Sequence, residues 1–150
     1  MRSDDARRSE ERNPSGIFDQ KVLLVDENFH DLHYYRLLLE SQGYEVTTCL
    51  SFDAGAQCLE LESFHFVIID QGTSAFEGKR LVERALQLNP KRAVLVTAAY
   101  LDENCHFEAM QIGAVAYMGK PLRPSVFLPL VRTHVSRGGT SLLERGAFGM

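Results

Sequence analysis

Five short apolar runs alternate with stretches of helical period along this 150-residue chain, and that alternation limits its fold more than any other feature. KVLLVD (21–26) is a continuous apolar run, the pattern of a strand covered on both faces. FHFVIID (64–70) and RAVLVTA (92–98) repeat it, and EVTTCL (45–50) and AVAYMG (114–119) supply two more. Between the runs, Leu32, Tyr35, Leu38 and Leu39 recur at helical spacing before Gly43, and Ala56 and Leu59 do so within 52–61. Val82, Ala85 and Leu86 mark the inner face of a helix over 79–88 that Asn89-Pro90 closes. A helix over 102–112 stops at Gly113, and Pro124 suits the first turn of a last helix running to about His134. Strands buried on both faces and joined through helices predict an α/β fold, a doubly wound five-stranded parallel sheet with helices on both faces.

One ordinary domain accounts for this length. Residues 1–20 mix both charges with Ser, Asn, Pro and Gly and show no apolar period, so a disordered N-terminal arm is expected there. Residues 136–150, with Gly138, Gly139 and SLLERGAF, read as a flexible C-terminal tail. MRSDDARRSEER carries charge where a signal peptide needs an apolar core, and no stretch approaches bilayer-spanning length. A cytoplasmic location without a membrane partner is the expectation. Cys49, Cys58 and Cys105 include no CxxC pair and an odd count, which suits reduced, small, largely buried side chains. The net charge is −4, and residues 21–135 carry that same −4 from ten Lys/Arg and fourteen Asp/Glu. No basic footprint for direct nucleic-acid binding is present.

In open parallel sheets, ligands bind beyond the carboxyl ends of the strands. Asp26 and Glu27 follow the first strand here, Asp70 the third, Thr97 sits at the end of the fourth, and Lys120 follows the fifth. Three carboxylates brought together need a cation, and Mg²⁺ accepts one or two carboxylates with waters and a phosphate. An aspartate beside such a metal can act as a nucleophile toward phosphorus. Lys120 supplies a compact cation and Thr97 a hydroxyl donor for the transferred oxygens. Together the five residues form a complete phosphoryl-acceptor set.

VDEN (25–28), VIID (67–70), Gly78 eight residues beyond Asp70, VTA (96–98) and GAVAYMGKP (113–121) together resemble the receiver domains of two-component response regulators. The resemblance covers about residues 20–135, so the receiver domain is expected over 21–135. It implies the strand order 2-1-3-4-5, with Asp70 as phosphoacceptor. It also implies a Mg²⁺ site built from Asp26, Glu27, Asp70 and the backbone carbonyl of Gly72. Thr97 and Lys120 would bind the phosphoryl oxygens, Thr97 and Tyr117 would form the switch pair, and Lys120-Pro121 would be cis. The partners implied are a histidine kinase or phosphotransfer protein and a downstream protein met through the fourth-helix to fifth-helix face. A homodimer through that face is also open. On this reading the chain is a stand-alone phosphoacceptor, not an enzyme beyond self-catalysed phosphorylation and dephosphorylation.

Four departures from the family pattern stand out. Glu27 replaces the usual Asp, Gln71-Gly72-Thr73-Ser74 lacks the usual hydrophobic residues and proline, Ser74 removes a φ constraint, and Ala99 is small. Three rival readings compete for the same residues. An aspartate-nucleophile phosphatase would suit D-Q-G-T (70–73) but needs a second acid at the position of Gly72. A flavodoxin-like cofactor binder would need a phosphate-cradling loop where DENFHD stands. A phosphate-independent receiver-like interaction module keeps the fold and drops the chemistry. Other features take plain readings: His30 and His33 as solvated helix residues, Lys91 and Arg92 as an exposed turn, and Phe107 and Met110 as core.

Overall fold

The computed structural model describes residues 20–135, and the arm and tail expected at the two ends lie outside them except for Gln20. Five strands run in chain order: β1 (Lys21–Val25), β2 (Glu45–Cys49), β3 (Phe66–Asp70), β4 (Ala93–Ala98) and β5 (Ala116–Gly119). They alternate with α1 (Phe29–Ser41), α2 (Phe52–Leu61), α3 (Lys79–Leu88), α4 (Glu103–Ile112) and α5 (residues 124–135). All pairings are parallel and the sheet order is β2-β1-β3-β4-β5. The doubly wound α/β expectation holds.

Strand alternation divides the core into two layers. Leu23, Val25, Val67, Ile69, Val94 and Val96 face α2, α3 and α4, where Leu59, Leu81, Val82, Ala85, Cys105 and Ala109 meet them. Val22, Leu24, Phe66, Ile68 and Leu95 face α1 and α5, meeting Leu32, Tyr35, Leu39, Phe127 and Val131. Three helices start on side-chain caps: Asn28 accepts from the Asp31 N–H, Ser51 from Ala54 and Asp102 from Cys105. Gly43 and Gly113 follow α1 and α4 at positive φ, where a side chain would be strained.

Two of the plain readings fail. Phe107 and Met110 are not core but 62% and 42% exposed, because α4 turns Cys105 and Ala109 inward and leaves Phe107 and Met110 off that inner stripe. Arg92 is not exposed with its turn but 7% exposed: it directly precedes β4, an inner strand flanked by β3 and β5. His30 and His33 are exposed, as expected. No described helix is long and apolar enough to cross a membrane.

Candidate functional site

β1, β3, β4 and β5 deliver their terminal residues to one end of the sheet. Asp26 extends the β1 ladder, its N–H donating to the Cys49 carbonyl at 3.1 Å, so its buried side chain lies at the edge of the core. Its Oδ1 accepts from the Asn28 N–H at 2.9 Å. Asp70 ends β3 in register with Thr97 on β4. The Thr97 hydroxyl donates to Asp70 Oδ1 at 3.3 Å, and the Gly72 N–H donates to Asp70 Oδ2 at 2.9 Å. Gly72 reaches that position at φ 89°, which glycine adopts freely.

Lys120 joins these groups. Its N–H donates to the Ala98 carbonyl at 2.8 Å, and the Lys120–Pro121 peptide is cis. Its ammonium lies 2.8 Å from Asp26 Oδ2, 3.0 Å from Asp70 Oδ1 and 2.9 Å from Asp31 Oδ2, with the side chain only 8% exposed. Burial pushes the Asp26 carboxyl above its ordinary value, against the hydrogen bonds from Lys120 and Asn28 that pull it down. Burial also opposes the Lys120 charge, but hydrogen bonds to Asp26, Asp31 and Asp70 outweigh it and push the ammonium up. The cation is therefore held firmly among carboxylates.

Asp31 is the member of this cluster that the sequence did not disclose. An acid in the first turn of a helix is favoured by the helix dipole alone, so its presence there carries no message. Gln71 is the second. It is buried, its N–H donates to the Thr97 carbonyl at 2.7 Å, and its Oε1 accepts from the Tyr117 hydroxyl. Tyr117 also accepts from the Asp102 N–H at 3.0 Å and stacks on His106 with ring centroids 4.6 Å apart. Expected switch residue and candidate phosphoacceptor strand are thus one hydrogen bond apart. Glu27 is exposed, outside the Lys120 cluster.

Among the described residues, no three His, Cys, Asp or Glu side chains stand together as a ready-made metal cluster. Two convergent buried carboxylates of Asp26 and Asp70 do provide the hard oxygen donors that Mg²⁺ takes, and Mg²⁺ commonly completes its shell with water. The donor chemistry fits.

A family model for the response regulator receiver domain matches residues 22–132. The chain belongs to that family. This receiver is 28% identical over 137 residues to the transcriptional regulatory protein ZraR of Escherichia coli K12, a match covering 86% of this chain and 30% of that protein. It is 29% identical over 104 residues to the alginate biosynthesis transcriptional regulatory protein AlgB of Pseudomonas aeruginosa, covering 69% of this chain and 23% of AlgB. The receiver thus spans less than a third of the length of these relatives. A CheY-like receiver from Methanospirillum hungatei superposes with a TM-score of 0.74 at 26% identity, covering 79% of this chain and 95% of the other. A Burkholderia pseudomallei response regulator, solved with a phosphorylated aspartic acid, calcium ion and citrate, superposes with a TM-score of 0.70 at 25% identity. That match covers 79% of this receiver and 69% of the other chain.

Proposed function

We propose that Asp70 accepts a phosphoryl group from a histidine kinase or phosphotransfer protein, with Mg²⁺ held by Asp26, Glu27, Asp70 and the Gly72 carbonyl. The observation that carries this reading is the convergence of Lys120 and Thr97 on one oxygen of Asp70, at 3.0 and 3.3 Å. A carboxylate oxygen of Asp70 attacks phosphorus, a new P–O bond forms, and the bond from phosphorus to the donor nitrogen breaks, its electron pair leaving with that nitrogen. Bound Mg²⁺ would supply charge neutralisation for the phosphoryl oxygens. Lys120 sits where it can neutralise a further oxygen, and the Thr97 hydroxyl can turn from the carboxylate to the phosphoryl group. The added charge favours an arrangement in which Thr97 moves toward phosphate and the bond between Tyr117 and Gln71 is re-made.

The output is a protein contact on the α4–β5–α5 face. Tyr100 and Leu101 in the β4–α4 loop are 85% and 70% exposed, and Phe107 and Met110 on the helix that follows are 62% and 42% exposed. Single apolar residues are ordinary on a surface, but four of them on the loop and helix that flank Asp102, whose N–H donates to the Tyr117 hydroxyl, suit a regulated contact.

Intact mass after incubation with acetyl phosphate and Mg²⁺ tests the proposal. One phosphoryl adduct, absent from Asp70→Asn and from an EDTA control, is expected. No adduct, together with no structural response to beryllofluoride, would instead make the chain a phosphate-independent interaction module.

A further inference from the structure

At the opposite end of the strands from Asp70, the turns leading into β3, β4 and β5 enclose a cavity of about 550 Å³. Its lining includes Ser63, His65, Asn89, Lys91, Arg92 and His134, and no Asp or Glu among the described residues. Arg92 is only 7% exposed, and its Nε and Nη1 atoms are buried without a hydrogen-bond partner. The great majority of buried polar groups in folded proteins are satisfied, and a guanidinium carries a full charge besides. Burial lowers the Arg92 pKa, and no neighbouring acid opposes the effect.

The other arginines sharpen the contrast. Arg36 Nε also lacks a hydrogen bond, but it stands 3.4 Å from the Glu40 carboxylate. Arg84 Nε donates to Glu60 at 2.6 Å on the surface. Among the described residues, Arg92 alone of these three has been carried into the protein with no carboxylate to meet it. Lys91 adds a second cation at the rim. The backbone N–H of Lys21 donates to His65 Nδ1 at 3.1 Å.

We propose that this cavity binds the oxyanion of a small phosphate- or carboxylate-bearing solute, with Arg92 as its principal ligand and Lys91 as a rim charge. A guanidinium's planar fork matches two oxygens of such an anion, and because Nε and Nη1 lie just beneath the cavity surface, binding turns the Arg92 side chain toward the cavity to present them. The cavity volume lies within the range of small-molecule sites, so the anion can belong to a solute larger than phosphate itself. Occupancy is independent of Asp70 chemistry, because the two sites use different ends of the sheet.

The test uses the full chain in Mg²⁺-free buffer without oxyanions, titrated with inorganic phosphate and separately with citrate, against sodium chloride at matched ionic strength. Thermal unfolding and the NMR signals of the Arg92 Nε–H and the Gly113 and Val115 amides are read. A saturable rise in Tm with matching shifts at those signals is expected from phosphate, citrate or both, and the responding arm identifies the source of the oxyanion. Arg92→Met should raise Tm in the oxyanion-free buffer, since it removes an unpaired buried charge, and should abolish the gain from the anion. Lys91→Gln, on an exposed turn, should fold normally and weaken apparent affinity by roughly twofold to fivefold. Should Arg92→Met fail to fold, the wild-type shifts and Lys91→Gln decide. Responses no larger than chloride gives, an unchanged response in Arg92→Met, or shifts confined to Gly72 and Lys120 would overturn the proposal.

Discussion

The Tyr117 hydroxyl donates to Oε1 of Gln71, the residue that immediately follows Asp70. The aromatic side chain at the centre of the α4–β5–α5 face is thereby tied to the strand end that carries the candidate phosphoacceptor. Gln71 is fully buried, so its acceptor has no water to fall back on. Tyr117→Phe should lower stability by about 1–2 kcal/mol in urea unfolding, the cost of leaving that oxygen unsatisfied. It should also reduce the response of α4 amide signals to beryllofluoride. An α4 response equal to wild type would remove Tyr117 from the coupling.

Asp26 provides a prediction in pH and metal. Burial raises its pKa above the ordinary 3.8, so folding favours its protonated form. The contribution of this group to stability is fully present below 3.8 and is lost as pH rises through the higher folded value. At neutral pH in metal-free buffer, Asp26→Asn should therefore raise stability and flatten this part of the pH profile. Added Mg²⁺ should raise the Tm of the wild type and much less that of the variant, measured in parallel thermal melts. Equal Mg²⁺ gains in both would remove Asp26 from the metal site.

Gly78 is held by a close approach. A Cβ there would fall 2.4 Å from the Asp70 carbonyl oxygen and 3.0 Å from Ile69 Cγ2. Backbone cannot yield as a side chain does, so Gly78→Ala should cost about 1–3 kcal/mol in denaturant unfolding and displace the end of β3. Its rate of phosphorylation by acetyl phosphate should fall as well. A variant as stable as wild type would show that α3 can shift away freely.

Cys49 and Cys58 are both free, with sulfurs 3.4 Å apart. Burial, together with the neighbouring Cys58 thiol, pushes Cys49 up to about 12, and burial pushes Cys105 up to about 11. The thiolate is the reacting form, so iodoacetamide at about pH 8 should label the half-buried Cys58 well before the other two. Peptide mass mapping over time reads the order directly. Labelling of Cys49 first would contradict the packing of α2 on β2.

Element positions were legible because each one is written locally. The apolar runs at 21–26, 64–70 and 92–98 lie within two residues of β1, β3 and β4, and Gly43 and Gly113 mark the ends of α1 and α4. At β3 the apolar run overshoots: Phe64 is buried outside the ladder, which begins where Phe66 pairs with Val22. Side-chain burial was legible where period alone decides it, as at Leu32, Tyr35 and Leu39, and illegible where neighbours decide it. Phe107 shows the difference, since a large apolar residue on α4 faces solvent when the smaller Cys105 and Ala109 hold the inner stripe.

The sequence by itself determined the alternation of strands and helices and the residues standing at the strand ends. Both follow from periodicity, capping and turn chemistry within a few residues of chain. Only the tertiary structure decided that Lys120 is shared among Asp26, Asp31 and Asp70, that Gln71 receives the Tyr117 hydroxyl, and that Arg92 is buried beside a cavity. Lys120 and its partners Asp26 and Asp31 are 94 and 89 residues apart, and no local pattern encodes a contact at that range. Such contacts exist because packing the two helical layers onto one sheet brings its strand ends together, and burial then sets the charge and hydrogen bonding of whatever stands there.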